Sequence, residues 1–215
     1  MGREELGESS SSQNVNITVT GIERGAGGKD ECLLSDGSSF FVPRGFAAKH
    51  GLFPGQIFSF PRIEEIQRYA LFVLAKKKAL DLLSYREHSR MQLRRKLLVK
   101  EFPEDIIRKV LDSLEDEGSL DEERFCRIWI RTRLKRHSEW GRVLVTGLTK
   151  AGVGMRLAEK MVQEELADED EYSLMCRAAA KIQRHSGITK EKIIKKLLSK
   201  GFSYNLVLNY SNNID

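Results

Sequence analysis

The sequence has few of the residues and patterns that build metal, redox or membrane-spanning structures. It holds 3 cysteines, and Cys32, Cys126 and Cys176 are too far apart for the short spacings of zinc or redox motifs. Their apolar surroundings predict free, buried thiols in a reducing compartment. No apolar run reaches membrane-spanning length, and the N-terminus shows no signal-peptide pattern. These absences predict a cytoplasmic protein with no membrane partner.

Two patterns resemble catalytic motifs only superficially. Gly25–Asp30 looks like a phosphate-binding loop, but Glu23 stands where the first glycine belongs and Asp30 where the Ser/Thr belongs. The acidic runs 115–117 and 121–123 fit a solvated helix end and the favourable first turn of the next helix. We therefore predict that the chain is not an enzyme and has no catalytic site, metal site or cofactor.

Charge is unevenly distributed along the chain. The formal net charge is +5, with −2 in residues 1–60 and +7 in residues 61–215. A basic region behind a weakly acidic one favours a polyanionic partner or an acidic protein surface.

The chain does contain one pattern repeated three times. In each copy a His-Ser pair is followed by leucines, a lysine and a turn. The pairs are His88-Ser89, His137-Ser138 and His185-Ser186, and the turns end at Phe102, Val153 and Phe202. Successive turns are 51 and 49 residues apart, which indicates stacked helical units rather than one globule around a cleft.

The repeated histidines do not form a convincing metal or acid–base site. Stacked repeats hold equivalent positions one repeat apart, so the three side chains do not converge. Each is followed by a serine with helix-cap character, so we interpret each histidine as a partly exposed residue before an N-cap.

The hydrophobic pattern divides the chain into a tail, a β-rich module and helices. Alternation from Val15 and the Gly/Ser-rich turns after it indicate hairpins, and beyond Pro61 the period becomes helical. The predicted segments are a disordered tail at 1–14, a β-rich module at 15–60, a long helix at 61–84, and repeats at 85–132, 133–183 and 184–215, the last truncated. The predicted fold is mainly α, with each repeat made of two or three short helices behind the small β-rich N-terminal module.

Basic residues crowd the start of each repeat. If the repeats stack regularly, these residues form a stripe that can follow an extended polyanion or filament. The predicted partner-binding and DNA-binding residues are Arg86, Arg90, Arg94, Arg95, Lys96, Lys100, Arg131, Arg133, Lys135, Arg136, Arg142, Lys150, Arg184, Lys192, Lys195 and Lys196.

The first repeat resembles a known family. The segments Tyr85-Arg86-x-x-Ser89-x-x-x-Leu93-x-x-Lys96-Leu97 and Val110-Leu111-x-x-Leu114-x-x-x-Gly118-x-Leu120-Asp121-Glu122-x-Arg124-Phe125 resemble the RecX family of bacterial regulators of the RecA recombinase. The second copy, from Gly141 to Val153, fits less closely. The resemblance covers about residues 61–215, and the β-rich module is similar to one found on some members.

The resemblance implies a fold, tandem three-helix-bundle repeats in an elongated curved array, and also a partner and an activity. It implies a monomer that binds along the RecA filament, contacts single- and double-stranded DNA weakly and without sequence preference, and lowers filament growth, ATP hydrolysis, strand exchange and co-protease activity. It places the protein in recombinational DNA repair and the SOS response, by capping or by dissociation of the filament. The basic stripe would supply the contacts, and Leu93, Leu97 and Phe125 would be scaffold.

The second copy departs from the family pattern. Its first helix carries Val143, Val145 and Gly147 where the family has charges, which predicts a smaller electrostatic contribution or a contact through apolar surface. A glycine there costs up to about 1 kcal/mol relative to alanine. Trp129 is predicted to be core, and Trp140 is either an exposed contact or packing between repeats.

A DNA-binding protein that acts without RecA and an enzyme are the two alternative functions. A repressor-like helical DNA-binding protein acting without RecA would need a recognition helix and a dimer interface, and neither stands out. An enzyme has no residue constellation in its support.

Overall fold

A computed structural model describes residues 16–184 and 188–212 of the chain. The predicted tail at 1–14 and the third His-Ser pair lie outside the described residues. The chain divides into two compact units, Met1–Lys77 and Lys78–Asp215, with a small antiparallel sheet in the first and helices in the second. The predicted fold class, mainly helical with a small β-rich module at the N-terminus, is confirmed.

The first unit is a four-stranded antiparallel sheet in the order β3-β2-β1-β4. Its elements are β1 (Asn16–Arg24), β2 (Lys29–Leu34), β3 (Ser39–Pro43), α1 (Phe46–Lys49), β4 (Ile57–Ser59) and the first part of α2 (Phe60–Tyr85). Tight turns join β1 to β2 and β2 to β3, as the glycine-rich segments predict.

The alternating side chains of β1 close the core of this unit. Ile17 and Val19 point inward and pack with Cys32 of β2 and with Ile63 and Ile66 of α2. Pro61 lies in the first turn of α2, where its missing N–H removes no helical hydrogen bond.

The second unit contains the end of α2 and eight shorter helices among its described residues. They are α3 (Arg90–Leu98), α4 (Glu104–Asp116), α5 (Glu122–His137), α6 (Arg142–Lys150), α7 (Met155–Leu166), α8 (Glu171–Gln183), α9 (Lys190–Ser199) and α10 (Tyr204–Asn212).

Local sequence explains where several of these helices begin. The hydroxyl of Ser89 accepts a hydrogen bond from the Gln92 N–H at 3.2 Å and caps α3. Asp121 and Asp170 cap α5 and α8 by accepting from the Arg124 and Ser173 N–H groups, both at 2.9 Å. The cap predicted at Ser89 and the helix start predicted at Asp121 are therefore confirmed.

Helices pack across the sequence repeat. α5 packs on α6 and α7, while α8 packs on α9, which in turn packs on α10. One continuous core runs from Phe125 on α5 to Val207 on α10. Each of these packed groups takes its long helix from one sequence copy and its two short helices from the next, and the apolar face of the long helix is buried against them. The repeat boundaries themselves remain a prediction.

The turn after the first helix of each copy has the same backbone geometry. We call these turn 1 (Val99–Phe102), turn 2 (Lys150–Val153) and turn 3 (Ser199–Phe202). The third residue of each turn has positive φ: 62° at Glu101, 96° at Gly152 and 95° at Gly201. Its N–H donates to the carbonyl three residues earlier at 2.8, 2.9 and 3.0 Å respectively.

Turns 2 and 3 join successive copies. The Ser89 hydroxyl donates to the carbonyl of Ala151 in turn 2 at 2.5 Å, and Gly152 lies against Met91. In the same way, the Trp140 N–H donates to the carbonyl of Lys200 in turn 3 at 2.8 Å. The turn of each later copy therefore docks on the segment at the start of the preceding copy's first helix.

Candidate partner-binding surface

Two of the predicted stripe residues on α3 are committed to carboxylates of α4. Arg90 pairs with Asp112 at 2.6 Å and also with Glu115, and Arg94 Nε lies 2.6 Å from Glu104. Exposed pairs of this kind add little stability, at most about 1 kcal/mol. The carboxylates do compensate the positive charge of both arginines, which weakens the attraction of these arginines for a polyanion.

Two stripe residues on α5 are also paired. Arg131 Nε lies 2.6 Å from Glu165 of α7. Arg133 Nε lies 3.0 Å from Glu139 Oε2, an ion pair without hydrogen-bond alignment, and its guanidinium lies 5.0 Å from the centre of the Trp129 ring. These arginines therefore hold α5 against its surroundings rather than standing free.

The remaining twelve predicted residues are exposed, and within residues 16–184 and 188–212 no carboxylate lies within ion-pair distance of them. They are Arg86, Arg95, Lys96, Lys100, Lys135, Arg136, Arg142, Lys150, Arg184, Lys192, Lys195 and Lys196. Arg86 does donate to the carbonyl of Glu87 and to Gln92.

Within the first helix of a copy, α3 and α9 each carry an adjacent pair of free cations that α6 lacks. Arg95 and Lys96 of α3 are equivalent to Lys195 and Lys196 of α9, whereas α6 has Thr146 and Gly147 at these positions. The Trp129 indole covers Gly147, and a Cβ there would lie 2.3 Å from the ring. The mid-helix glycine and the apolar side chains of α6 thus serve internal packing, and the free cations of this helix, Arg142 and Lys150, lie at its two ends.

Two lysines that sequence reasoning did not assign cap the C-terminal end of α5. Lys181 donates to the carbonyls of Lys135 and Arg136 at 3.3 and 3.4 Å and to the Ser138 hydroxyl at 3.3 Å. The Lys200 ammonium donates to the carbonyl of His137, and burial lowers the pKa of Lys200. Their positive charge complements the negative end of the helix dipole. No local signal marks them, since donor and acceptor lie 43 or more residues apart.

The two described His-Ser pairs lie in different surroundings. His88 is buried, its Nδ1 lies 3.3 Å from Gln92 Oε1, and burial lowers the pKa of its imidazole. His137 is exposed at the end of α5, and Ser138 ends that helix in the left-handed conformation. At the first pair the predicted N-cap serine is confirmed, but His88 is buried rather than partly exposed. At the second pair the N-cap prediction is wrong, because Ser138 ends a helix. Throughout the described residues, no three His, Cys, Asp or Glu side chains are grouped to hold a metal ion.

The cysteines and tryptophans largely follow the sequence expectations. Cys32 and Cys126 are buried free thiols whose pKa burial raises to about 11 and about 12, and Cys176 is a half-buried free thiol. Trp129 and Trp140 are partly buried and pack against the core of α5 to α10. Among the described helices, none combines the length and apolar character needed to cross a bilayer.

Comparison with known proteins gives consistent matches. The sequence model of the first three-helix domain of RecX matches residues 75–114, which hold the end of α2, all of α3 and most of α4. A regulatory protein RecX of Streptococcus equi is 27% identical over 179 residues, covering 80% of this chain and 68% of the relative. One from Listeria monocytogenes is 22% identical over 197 residues, covering 89% and 73%. The matches agree with one another and support a RecX-family protein.

Solved RecX structures share the fold. A crystal structure of a regulatory protein RecX superposes with a TM-score of 0.64 at 19% identity, over 92% of this chain and all of the other. RecX from Lactobacillus salivarius gives 0.56 at 24% identity, over 67% and 97%. The relatives are named regulatory proteins, so a regulatory role is the function that the RecX match supports.

Proposed function

We propose that this RecX-family chain is a non-enzymatic cytoplasmic regulator that binds the RecA–DNA filament. By binding, it inhibits filament growth, ATP hydrolysis, strand exchange and co-protease activity, and so modulates recombinational DNA repair and the SOS response. DNA contacts are weak and independent of sequence, and the protein acts as a monomer.

The observation that carries this proposal is the set of twelve exposed cations without carboxylate partners. A filament built on DNA is an extended polyanion, and free lysines and arginines bind phosphates by releasing condensed counterions. Ion-paired cations cannot contribute equally, because their charge is already compensated. The proposal therefore assigns the polyanion contacts to the free residues, mainly those on α3 and α9, and a positioning role to Arg90, Arg94, Arg131 and Arg133.

The test is ATP hydrolysis by RecA from the same organism on single-stranded DNA, titrated with this protein. Suppression below one protein per recombinase subunit supports action on filament ends or along the groove. Absence of suppression at excess protein, with DNA binding retained, would overturn the proposal and favour a helical DNA-binding protein that acts without RecA.

A matched pair of variants tests the assignment of residues. Replacing Lys192, Lys195 and Lys196 together by glutamine should raise the concentration for half-suppression about tenfold, and by less at high salt. The control replaces Arg108, Lys109 and Arg156, three exposed cations on α4 and α7 that are not among the predicted contacts. Equal losses from both variants would show that only net charge matters.

A further inference from the structure

Among the described residues, turn 1 differs from turns 2 and 3 in that no preceding copy packs against it. Turns 2 and 3 each accept a hydrogen bond from the preceding copy and lie against its side chains or backbone. Turn 1 has the same backbone geometry, yet Val99, Lys100 and Glu101 are all exposed. Turn 1 is thus exposed, although the equivalent turns 2 and 3 are both used as contacts between copies.

The side chains of turn 1 also differ from those of its equivalents. Val99 is 79% exposed, whereas Lys150 and Ser199 stand at the same position in turns 2 and 3. Leu98 is 38% exposed, whereas its equivalent Leu198 packs against the core. Val99 and the adjacent Leu98 therefore form a small exposed apolar patch, which we call the knob. The other copies have polar side chains at the position of Val99.

Three exposed cations flank this knob, and the exposed carboxylate of Glu101 lies in the same turn. Arg95, Lys96 and Lys100 are exposed, and in the described part of the chain no carboxylate lies within ion-pair distance of them. An apolar centre with a charged rim is the usual anatomy of a protein interface. Proteins that bind single-stranded nucleic acid present aromatic side chains for base stacking, of which turn 1 has only the partly buried Phe102.

We propose that turn 1, with Leu98 and Val99 at its centre and Arg95, Lys96 and Lys100 around them, docks on a protein surface. That surface has a shallow apolar depression bordered by carboxylates. The inference rests on the proposed function in taking this surface to be the protein part of the RecA filament rather than its DNA.

One substitution separates this docking from phosphate binding. Val99→Lys installs the residue that turn 2 carries at the same position and adds a positive charge. If the turn bound phosphate, the variant would bind the filament more tightly. If Val99 enters an apolar depression, Val99→Lys should raise the half-suppression concentration about tenfold, with affinity for single-stranded DNA alone unchanged or higher.

A second variant and a matched control complete the experiment. Leu98→Ser with Val99→Ser should weaken suppression as much as Val99→Lys without changing charge. Met155→Ser removes an apolar side chain of similar exposure, 56%, at the start of α7, and should leave suppression unchanged. Thermal unfolding of each variant checks that the fold is intact.

The outcomes are distinguishable. Suppression by both turn 1 variants at the wild-type concentration would overturn the docking inference and leave the proposed function standing. Loss of DNA affinity in parallel with loss of suppression would likewise overturn it, because the turn would then contact DNA. Failure of the wild-type protein to bind the RecA filament would overturn both proposals.

Discussion

Turns 1, 2 and 3 have the same backbone and differ in what lies beside them. Glu101, Gly152 and Gly201 all adopt positive φ and donate the same backbone hydrogen bond. A Cβ at Gly152 would lie 2.3 Å from Met91 Cβ, and one at Gly201 would lie 2.1 Å from the Trp140 carbonyl oxygen. Glycine is therefore required at Gly152 and Gly201 because the neighbouring copy leaves no room for a Cβ. Positive φ alone does not require glycine, since Glu101 adopts it at an exposed position.

The largest expected effect on stability comes from disrupting the packing of turn 2 or turn 3 on the preceding copy. Gly201→Ala should lower the free energy of unfolding of the helical unit by about 3 kcal/mol, because strained backbone and a clash with an immobile carbonyl add together. Gly152→Ala should cost a similar amount. Urea denaturation followed by circular dichroism measures both changes.

Gly118→Ala serves as a control that separates the cost of the clash with the preceding copy from the cost of positive φ. Gly118 also has positive φ, 70°, but a Cβ there would meet nothing within 4 Å. Gly118→Ala should therefore cost only the backbone term, about 1 kcal/mol. If it costs as much as Gly201→Ala, the explanation by close approach is wrong.

The next effect compares the two described His-Ser pairs. Ser89→Ala removes both the cap of α3 and the hydrogen bond to Ala151, and should cost about 2 kcal/mol of unfolding free energy. Ser138→Ala removes one acceptor of Lys181, which keeps two carbonyls, and should cost less than about 1 kcal/mol. Chemical denaturation of the two variants side by side tests this order, and equal losses would contradict it.

The buried histidine of the first pair should make the stability of the fold depend on pH. Burial lowers the pKa of His88 below its usual 6.5, so the unfolded chain binds more protons between the lowered value and 6.5. Stability from this group is complete above 6.5 and is lost as the pH falls through that window. His88→Gln should flatten this part of the stability curve, and a slope equal to that of the wild-type protein would contradict this explanation. Denaturation midpoints across that pH range decide between these results.

The smallest effect should have the opposite sign to the first. Glu101→Gly relieves left-handed strain of about 1 to 2 kcal/mol but increases the freedom of the unfolded chain by about 0.5 to 1 kcal/mol. We expect a stabilisation of about 0.5 kcal/mol, measurable as a small rise in melting temperature. A clear destabilisation would show that the Glu101 side chain makes a stabilising contact.

Part of the candidate surface could be predicted from the sequence, and part could not. The basic clusters around Arg95 and around Lys195 follow from composition and repeat phase. A cationic side chain lies at the surface by default, so its exposure can be predicted without knowing its neighbours. Arg90, Arg94, Arg131 and Arg133 were grouped with them, and their carboxylate partners lie on other helices or beyond a helix end. Sequence alone does not show which helix face meets which, so it cannot separate paired from free arginines.

The sequence by itself determined the order of strands and helices, the caps at Ser89 and Asp121, and the threefold repeat, because these depend on local backbone chemistry and on hydrophobic period. Tertiary structure decided that α5 and α8 pack with the helices of the following copy, that His88 is buried while His137 is exposed, and that Gly147, Gly152 and Gly201 must be glycine. Each of these depends on close contact between segments far apart in the chain, where a few tenths of an ångström set the energy.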